Sequence, residues 1–354
     1  MADARVEAAI EHWASRLIQN GVDYNDFVRT TARIETWEQW LAEWNRTADE
    51  HEEYALESER AGRGRTAGEA WLRAAVCRHF AKFVWTLDSQ LAAEATHRSV
   101  EAMRRAHRHL DPTAERIEAR LDGARVVANL RRPPGARRPP LVVLIAGLDS
   151  TKEEFFFLEQ AYLARGMATL SIDGPGQGET GLKLPIRPDF EAGVAPLLDA
   201  VAGRPDIDHD RTGAMGVSLG GYYAPRVAAF EPRIKAMVGL SGPFSFGETW
   251  EGLPPMTRQT FAVKAGVSTD DEARERAMAF DLSGVCERIE VPALYVTGEL
   301  DRLIPPQQTE RQANRTPGGE FICYPDGNHG CSNMPCRARP AIADWMRERL
   351  AEAA

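Results

Sequence analysis

Arg211-Thr212-Gly213-Ala214-Met215-Gly216-Val217-Ser218-Leu219-Gly220-Gly221 decides how the rest of this chain is read. A short apolar strand runs into Gly-x-Ser-x-Gly, and a helix is expected to begin near Tyr222. A serine pinned at a sharp strand-to-helix turn adopts strained backbone angles, so the residues two before and two after it must be small. Gly216 and Gly220 meet that demand, and Gly221 leaves room for the helix to close on the sheet. The helix start would aim free N–H groups and a positive dipole end at charge developing on a substrate. An ordinary glycine-rich strand-to-helix turn has the same pattern; the flanking strand and helix favour a nucleophile elbow.

Working outward, the chain alternates strand and helix, which implies a mostly parallel sheet with helices on both faces. Strands are expected at Leu141 to Ala146, Met167 to Ile172, Ile234 to Leu240, Ala293 to Thr297 and Glu320 to Tyr324. Arg116 to Leu121, Asp122-Gly123 and Ala124 to Leu130 read as a hairpin. Ser150-Thr151-Lys152-Glu153 reads as a capping box opening a helix through about Arg165. The loop Arg131 to Pro140 carries four arginines that could bind an anion, although its prolines favour a plain exposed connection. Residues from about 244 to 288 break the rhythm and read as an insertion forming a small lid.

Residues 1–115 read as an all-helical N-terminal domain, with helices near 4–20, 24–60 and 66–110, ahead of a catalytic domain at 116–354. Trp37, Trp40 and Trp44 fall at i, i+3 and i+7 on one face. They read as helix–helix core, or as part of a roof over a substrate pocket or a subunit contact.

The 354 residues are 43% hydrophobic and 27% charged with a formal net charge of −9, a composition that argues against nucleic acid as the main partner. No apolar run approaches a membrane span and the N-terminus lacks a signal-peptide core, so a cytoplasmic location is the default expectation. The five cysteines show no C-x-x-C pair. A metal or redox role for Cys331 and Cys336 is conceivable, but free thiols in a reducing compartment fit better.

A serine hydroxyl is a poor nucleophile until a base takes its proton, and the base needs a third group to orient it. The C-terminal half holds two histidines. His209 precedes the elbow strand, at the wrong end of the sheet to reach Ser218. His329, in Asp326-Gly327-Asn328-His329-Gly330 after the last strand, is placed to act as base. The acid should follow the preceding strand, where Thr297-Gly298-Glu299-Leu300-Asp301 offers Asp301, favoured over Glu299 by its place in the turn. The order Ser218, Asp301, His329 is that of α/β-hydrolases. The oxyanion hole needs two backbone N–H donors: Leu219, after the nucleophile, and Leu148, after the glycine that closes its strand, with Gly147 as the alternative.

Gly147-Leu148-Asp149-Ser150-Thr151-Lys152-Glu153-Glu154, Asp173-Gly174-Pro175-Gly176-Gln177-Gly178-Glu179 and the elbow together resemble the α/β-hydrolases related to FrsA-type esterases. Within them the chain is most similar to a subgroup that hydrolyses carbon–carbon bonds in nicotine breakdown and fungal polyketide shortening. The resemblance spans essentially the whole length and implies the α/β-hydrolase fold behind a helical domain, hydrolysis of a carbon–carbon bond beside a ketone, and a homodimer. It also implies that Glu248, in Phe246-Gly247-Glu248-Thr249-Trp250, is an extra catalytic carboxylate that binds or protonates the substrate's ring; a solvated lid glutamate is the alternative. Trp250 would line the same pocket. The expectation is a serine hydrolase acting on a small-molecule ketone attached to a hydroxylated ring, needing no metal or organic cofactor. Ester or amide hydrolysis by the same residues is the alternative, and an interaction protein on a hydrolase scaffold is a third reading that an intact Ser–Asp–His set opposes.

Overall fold

The computed structural model describes residues 3–353. The chain forms two compact units. One comprises the chain up to Ala114 together with Glu153–Phe157; the other comprises Glu115–Lys152 and everything from Leu158.

The first unit is helical: α1 (Ala4–Gln19), α2 (Tyr24–Thr31), α3 (Trp40–Arg60), α4 (Gly64–Ala81) and α5 (Ser89–Leu110). Asp3, Asp23 and Asp88 start α1, α2 and α5, each accepting a backbone N–H from the first turn. The stretch 24–60, where the sequence alone leaves a break open, divides into α2 and α3, and 66–110, expected as one helix, divides into α4 and α5. The second breaks between α4 and α5, where Val84 sits at φ 46°. A β-branched residue in the left-handed region is strained, and no glycine or proline marks the break. The adjoining aromatic side chains bury their polar ends: Trp85 Nε1–H donates to the Trp37 carbonyl and Trp40 Nε1–H to the Phe80 carbonyl, each at 3.0 Å. Trp37, Trp40 and Trp44 are all buried and stack along α3, so this stripe is helix–helix core.

Glu153–Phe157 joins this unit through Glu154. Its buried carboxylate accepts from Arg16 (2.7 and 2.9 Å) and Asn20 (2.7 Å), and lies 3.0 Å from His79 Nε2. Burial alone would raise the Glu154 pKa, but Arg16 and His79 hold it well below the carboxylate range. Burial pushes His79 the other way, toward the neutral ring.

Among the described residues of the second unit, eight strands form one sheet in the order β1-β2-β4-β3-β5-β6-β7-β8. They are β1 (Glu115–Leu121), β2 (Ala124–Arg131), β3 (Pro140–Ile145), β4 (Ala168–Asp173), β5 (Asp208–Val217), β6 (Ile234–Leu240), β7 (Ala293–Gly298) and β8 (Glu320–Tyr324). The β1–β2 hairpin is antiparallel and β2 meets β4 antiparallel, while β3 through β8 run parallel. Helices α6 (Phe156–Leu163), α7 (Glu191–Val201), α8 (Gly220–Phe230), α11 (Pro306–Arg315) and α12 (Pro335–Glu352) alternate with the strands. Both α8 and α12 pack on β5 and β6. Sandwiching of this kind explains why the central strands are continuous apolar runs rather than alternating ones. Because six strands share a direction, the loops that follow them all gather at one edge, where open α/β sheets place their ligands.

The insertion after β6 holds α9 (Pro255–Ala265) and α10 (Asp270–Met278). Its two ends meet: Phe246 N–H donates to the Phe280 carbonyl and Leu282 N–H to the Phe244 carbonyl. No helix among the described residues is long and apolar enough to cross a membrane.

Trp44 is fully buried, so Trp44→Ala leaves a cavity its neighbours cannot close. Chemical denaturation should show a loss of about 3–5 kcal/mol; a loss under about 1 kcal/mol would mean that this stripe is not core.

Candidate active site

β5 ends in the strained turn that its sequence demands. Ser218 has φ 60°, the left-handed region that non-glycine residues rarely occupy. The turn closes because its neighbours lack side chains: a Cβ on Gly216 would lie 1.9 Å from the Gly220 carbonyl oxygen, and one on Gly220 would lie 2.3 Å from the Ile145 carbonyl oxygen. Ser218 N–H donates to the Leu240 carbonyl at 2.8 Å, fastening the turn to β6. Leu219 follows at the entry to α8, so its N–H belongs to the first turn, where backbone donors lack helical partners.

Asp301 and His329 come together from the loops after β7 and β8. His329 Nδ1 lies 2.8 Å from Asp301 Oδ2, and both side chains are buried. The other carboxylate oxygen, Oδ1, accepts N–H bonds from Leu303 and Ile304 at 2.9 Å each. Burial would raise the Asp301 pKa, but the His329 ring and these N–H groups hold it below the usual value. Asp301 is therefore the fixed anion that makes Nδ1 of the ring a donor. The His329 loop is clamped by Asn328 and Asn333, each accepting the other's backbone N–H at 3.0 and 3.1 Å. A Cβ on Gly330 would lie 3.3 Å from Val217, so this loop packs against the residue preceding Ser218.

The loop after β3 flanks the serine on its other side. A Cβ on Gly147 would lie 3.0 Å from Ser218 Cβ and 3.4 Å from its Oγ. Leu148 follows directly, which puts the Gly147–Leu148 peptide beside the hydroxyl. His209, by contrast, lies at the start of β5, where Nε2 meets the Arg204 carbonyl.

Beneath the β3 loop lies a buried charge cluster that the sequence reading missed. Lys152 opens the short helical turn Lys152–Phe155 that leads into α6, and extends its Nζ to Asp173 (2.8 Å) and Glu179 (2.6 Å). Lys152 N–H also reaches Asp173 Oδ1 at 2.9 Å, and Arg116 grips Glu179 with two 2.6 Å bonds. Burial would raise the Glu179 pKa, but Arg116 and Lys152 hold it down at about 2. Two residues of the arginine-rich loop are likewise structural: Arg131 pairs with buried Glu159, and Arg132 with Glu115.

Glu248 is exposed on the lid insertion, its carboxylate held by Arg311 (2.9 and 3.1 Å) and Gln308 (3.1 Å). Trp250, expected to line the same pocket as Glu248, lies among the aromatic side chains of the insertion. It is fully buried in the lid's own core, edge-on to Phe246 and Phe261, with Nε1–H donated to Asp270 at 3.2 Å. All five cysteines are free. Burial, aided by the Asp301 charge, pushes the Cys331 thiol up to about 12, which suits an inert protonated thiol rather than a metal or redox one.

A family model described as esterase FrsA-like matches residues 19–348. The chain belongs to the FrsA-like esterase family. It is 33% identical over 352 residues to the 2,6-dihydropseudooxynicotine hydrolase of Paenarthrobacter nicotinovorans, covering 99% of this chain and 94% of that one. It is 34% identical to the alpha/beta hydrolase xenA of Xenoacremonium sinensis over 244 residues, which span 64% of this chain and 57% of the relative. The crystal structure of the 2,6-dihydroxy-pseudo-oxynicotine hydrolase superposes with a TM-score of 0.88 at 34% identity over 96% of each chain. This FrsA-like enzyme is thus an α/β-hydrolase with a small-molecule substrate.

Two residues of this FrsA-like site lay outside the sequence reading. Ser241 directly follows β6 at φ 51°, fully buried, and its Oγ accepts the Gly330 N–H at 3.0 Å, tying the end of β6 to the His329 loop. Gln177 is buried against the β3 loop. A polar residue after a strand in an α/β sheet is a signal, but too common a one to single out either.

The Glu179 pKa of about 2 lies below the ordinary 4.5, so its ion pairs stabilise the fold fully above about pH 4.5 and are lost as pH falls toward 2. Glu179→Gln should therefore lower the melting temperature at pH 7, and the gap to wild type should close between pH 4.5 and 2.5. A gap independent of pH would show that the glutamate acts only through its shape.

Proposed function

We propose that this enzyme is a serine hydrolase that cleaves the carbon–carbon bond between a carbonyl carbon and a hydroxylated aromatic or heteroaromatic ring. The observation that carries the serine mechanism is the Asp301–His329 hydrogen bond on a loop packed against Val217, beside a Ser218 held at φ 60°. The choice of bond rests on similarity across 99% of the chain to the 2,6-dihydropseudooxynicotine hydrolase.

In this reading Ser218 Oγ attacks the ketone carbon while His329 Nε2 takes its proton, and Asp301 stabilises the imidazolium and fixes its tautomer. The N–H groups of Leu148 and Leu219 hold the alkoxide. Collapse re-forms the carbonyl and breaks the bond to the ring carbon, which receives the proton from His329 and leaves as the free arene. Water, deprotonated by His329, then hydrolyses the acyl–Ser218 ester to a carboxylic acid. Electron-donating ring hydroxyls make the ring carbon basic enough to accept that proton. Glu248 is the carboxylate proposed to bind those hydroxyls. It follows β6 and bonds to Gln308 near the start of α11, so it belongs to the same sheet edge as Asp301. The same Ser218, His329 and Asp301 would also serve an ester, the reading that the family's description favours.

Ser218→Ala should abolish turnover and labelling by a fluorophosphonate, and Asp301→Asn should lower kcat by on the order of 10⁴; a Ser218→Ala protein that keeps wild-type turnover sinks the mechanism. For the bond cleaved, Glu248→Gln should slow cleavage of a dihydroxyaryl ketone by about 10-fold or more while changing p-nitrophenyl ester hydrolysis less than about 3-fold. Efficient ester hydrolysis with no aryl-ketone cleavage at all makes the enzyme an esterase.

A further inference from the structure

Gln177 lies in Asp173-Gly174-Pro175-Gly176-Gln177-Gly178-Glu179, a motif that the mechanism above leaves without a task. Its side chain is 1% exposed and makes three hydrogen bonds. Nε2 donates to the Ala146 carbonyl at 2.5 Å and, more loosely, to the Gly147 carbonyl at 3.3 Å, and Oε1 accepts the Gly174 N–H at 3.1 Å. Two carbonyls on one side and an N–H on the other permit only one orientation of the amide.

We propose that Gln177 is the positioning residue of the oxyanion hole, setting the direction of the backbone N–H groups that face Ser218. This rests on the reading of Ser218 as nucleophile with a donor from the β3 loop. A peptide unit is planar and trans, so its C=O and N–H point in opposite directions. The Ala146 carbonyl shares a peptide with the Gly147 N–H, and the Gly147 carbonyl shares one with the Leu148 N–H. One buried amide therefore orients both donors that the β3 loop could offer. Gly147 is also the residue whose Cβ position lies 3.4 Å from Ser218 Oγ. A loop of this kind would otherwise rotate its peptides freely, and an oxyanion hole works only if its donors are aligned before charge develops. Donation into a carbonyl also polarises the amide it belongs to and strengthens its N–H as a donor.

Gln177 is itself held. The residue after next, Glu179, is locked by Arg116 and Lys152, and Glu179 N–H and Thr180 Oγ1 bond back to Asp173 at 3.3 and 2.7 Å. In the lid insertion, Lys264 Nζ donates to the Gly176 carbonyl and its own carbonyl accepts the Ile186 N–H. The amide thus reaches the oxyanion loop from a platform fixed at both ends.

Two substitutions in the full-length enzyme test this. Gln177→Met keeps the volume and removes both donor and acceptor; Gln177→Glu keeps an acceptor for Gly174 and turns a second oxygen toward two carbonyls. Three quantities are measured: kcat and KM for p-nitrophenyl acetate, the inhibition constant of phenylboronic acid, whose serine adduct places an oxygen in the oxyanion hole, and the urea midpoint. Both variants should lose about 10- to 100-fold in kcat with KM within about 3-fold, a fraction of the ~10²–10³ that a missing oxyanion donor costs. Boronate affinity should fall in parallel, and Gln177→Glu should keep a near-wild-type urea midpoint. A lesion confined to the urea midpoint or to KM, or wild-type boronate affinity in a folded Gln177→Glu, overturns the proposal. Ser218→Ala separates the two readings. If it still hydrolyses the ester, the nucleophile assignment fails; if it is inactive while Gln177→Glu is fully active, only the role of Gln177 fails.

Discussion

Holding a serine at φ 60° costs on the order of 1–3 kcal/mol, and such a residue persists only where its surroundings over-determine it. Here they do so through backbone contact. The Ser218 turn is wedged between the end of β3, the end of β6 and the first turn of α8, at distances that admit no Cβ on Gly216 or Gly220. Its N–H is committed to Leu240, and its carbonyl accepts the Gly221 N–H that closes the turn. The strained turn puts Ser218 between the end of β5 and Leu219, the residue that opens α8. Ser241, at the end of β6, repeats the device at φ 51° and uses its hydroxyl to fasten the His329 loop.

Electrostatics does the corresponding work for the loops. Asp301 and Glu179 are both carboxylates that burial would neutralise and whose partners keep charged, but they serve different ends. Asp301 meets the His329 ring and two backbone N–H groups, so its charge is fixed beside that ring. Glu179 meets Arg116 and Lys152, and with Asp173 it forms a compact ion cluster that stiffens the loop carrying Gln177. Buried ion pairs are poor sources of stability because desolvation offsets their attraction. In this cluster the return is geometric: two loops separated in sequence are held in one arrangement beside the serine.

The sheet and the meeting of Asp301 with His329 were legible because each rests on a local signal. Short apolar runs bounded by turns marked the strands, and the elbow's glycines marked a turn that nothing else permits. His329 and Asp301 followed from where loops fall after parallel strands. Other features depended on contacts distant in sequence. Val84 breaks a helical pattern without glycine or proline because Trp85 must reach the Trp37 carbonyl. Lys152 opens a helical turn as its sequence suggests, but nothing local shows that its charge goes to Asp173 and Glu179, more than twenty residues on. Trp250 and Glu248 are two residues apart, yet Trp250 turns inward to Phe246 and Phe261 while Glu248 turns outward to Arg311. Adjacent residues facing opposite ways cannot be told apart without the partner that each one meets.

The helical unit is not a continuous piece of chain. The buried carboxylate that collects Arg16, Asn20 and His79 is Glu154, which lies beyond the β1–β2 hairpin and β3. During synthesis the bundle's own helices therefore emerge well before the acid that completes their interior. The acid that Arg16 meets is thus supplied by a segment encoded between β3 and β4. A cut after Ala114 would part the five helices from Glu153–Phe157, the stretch that completes their unit.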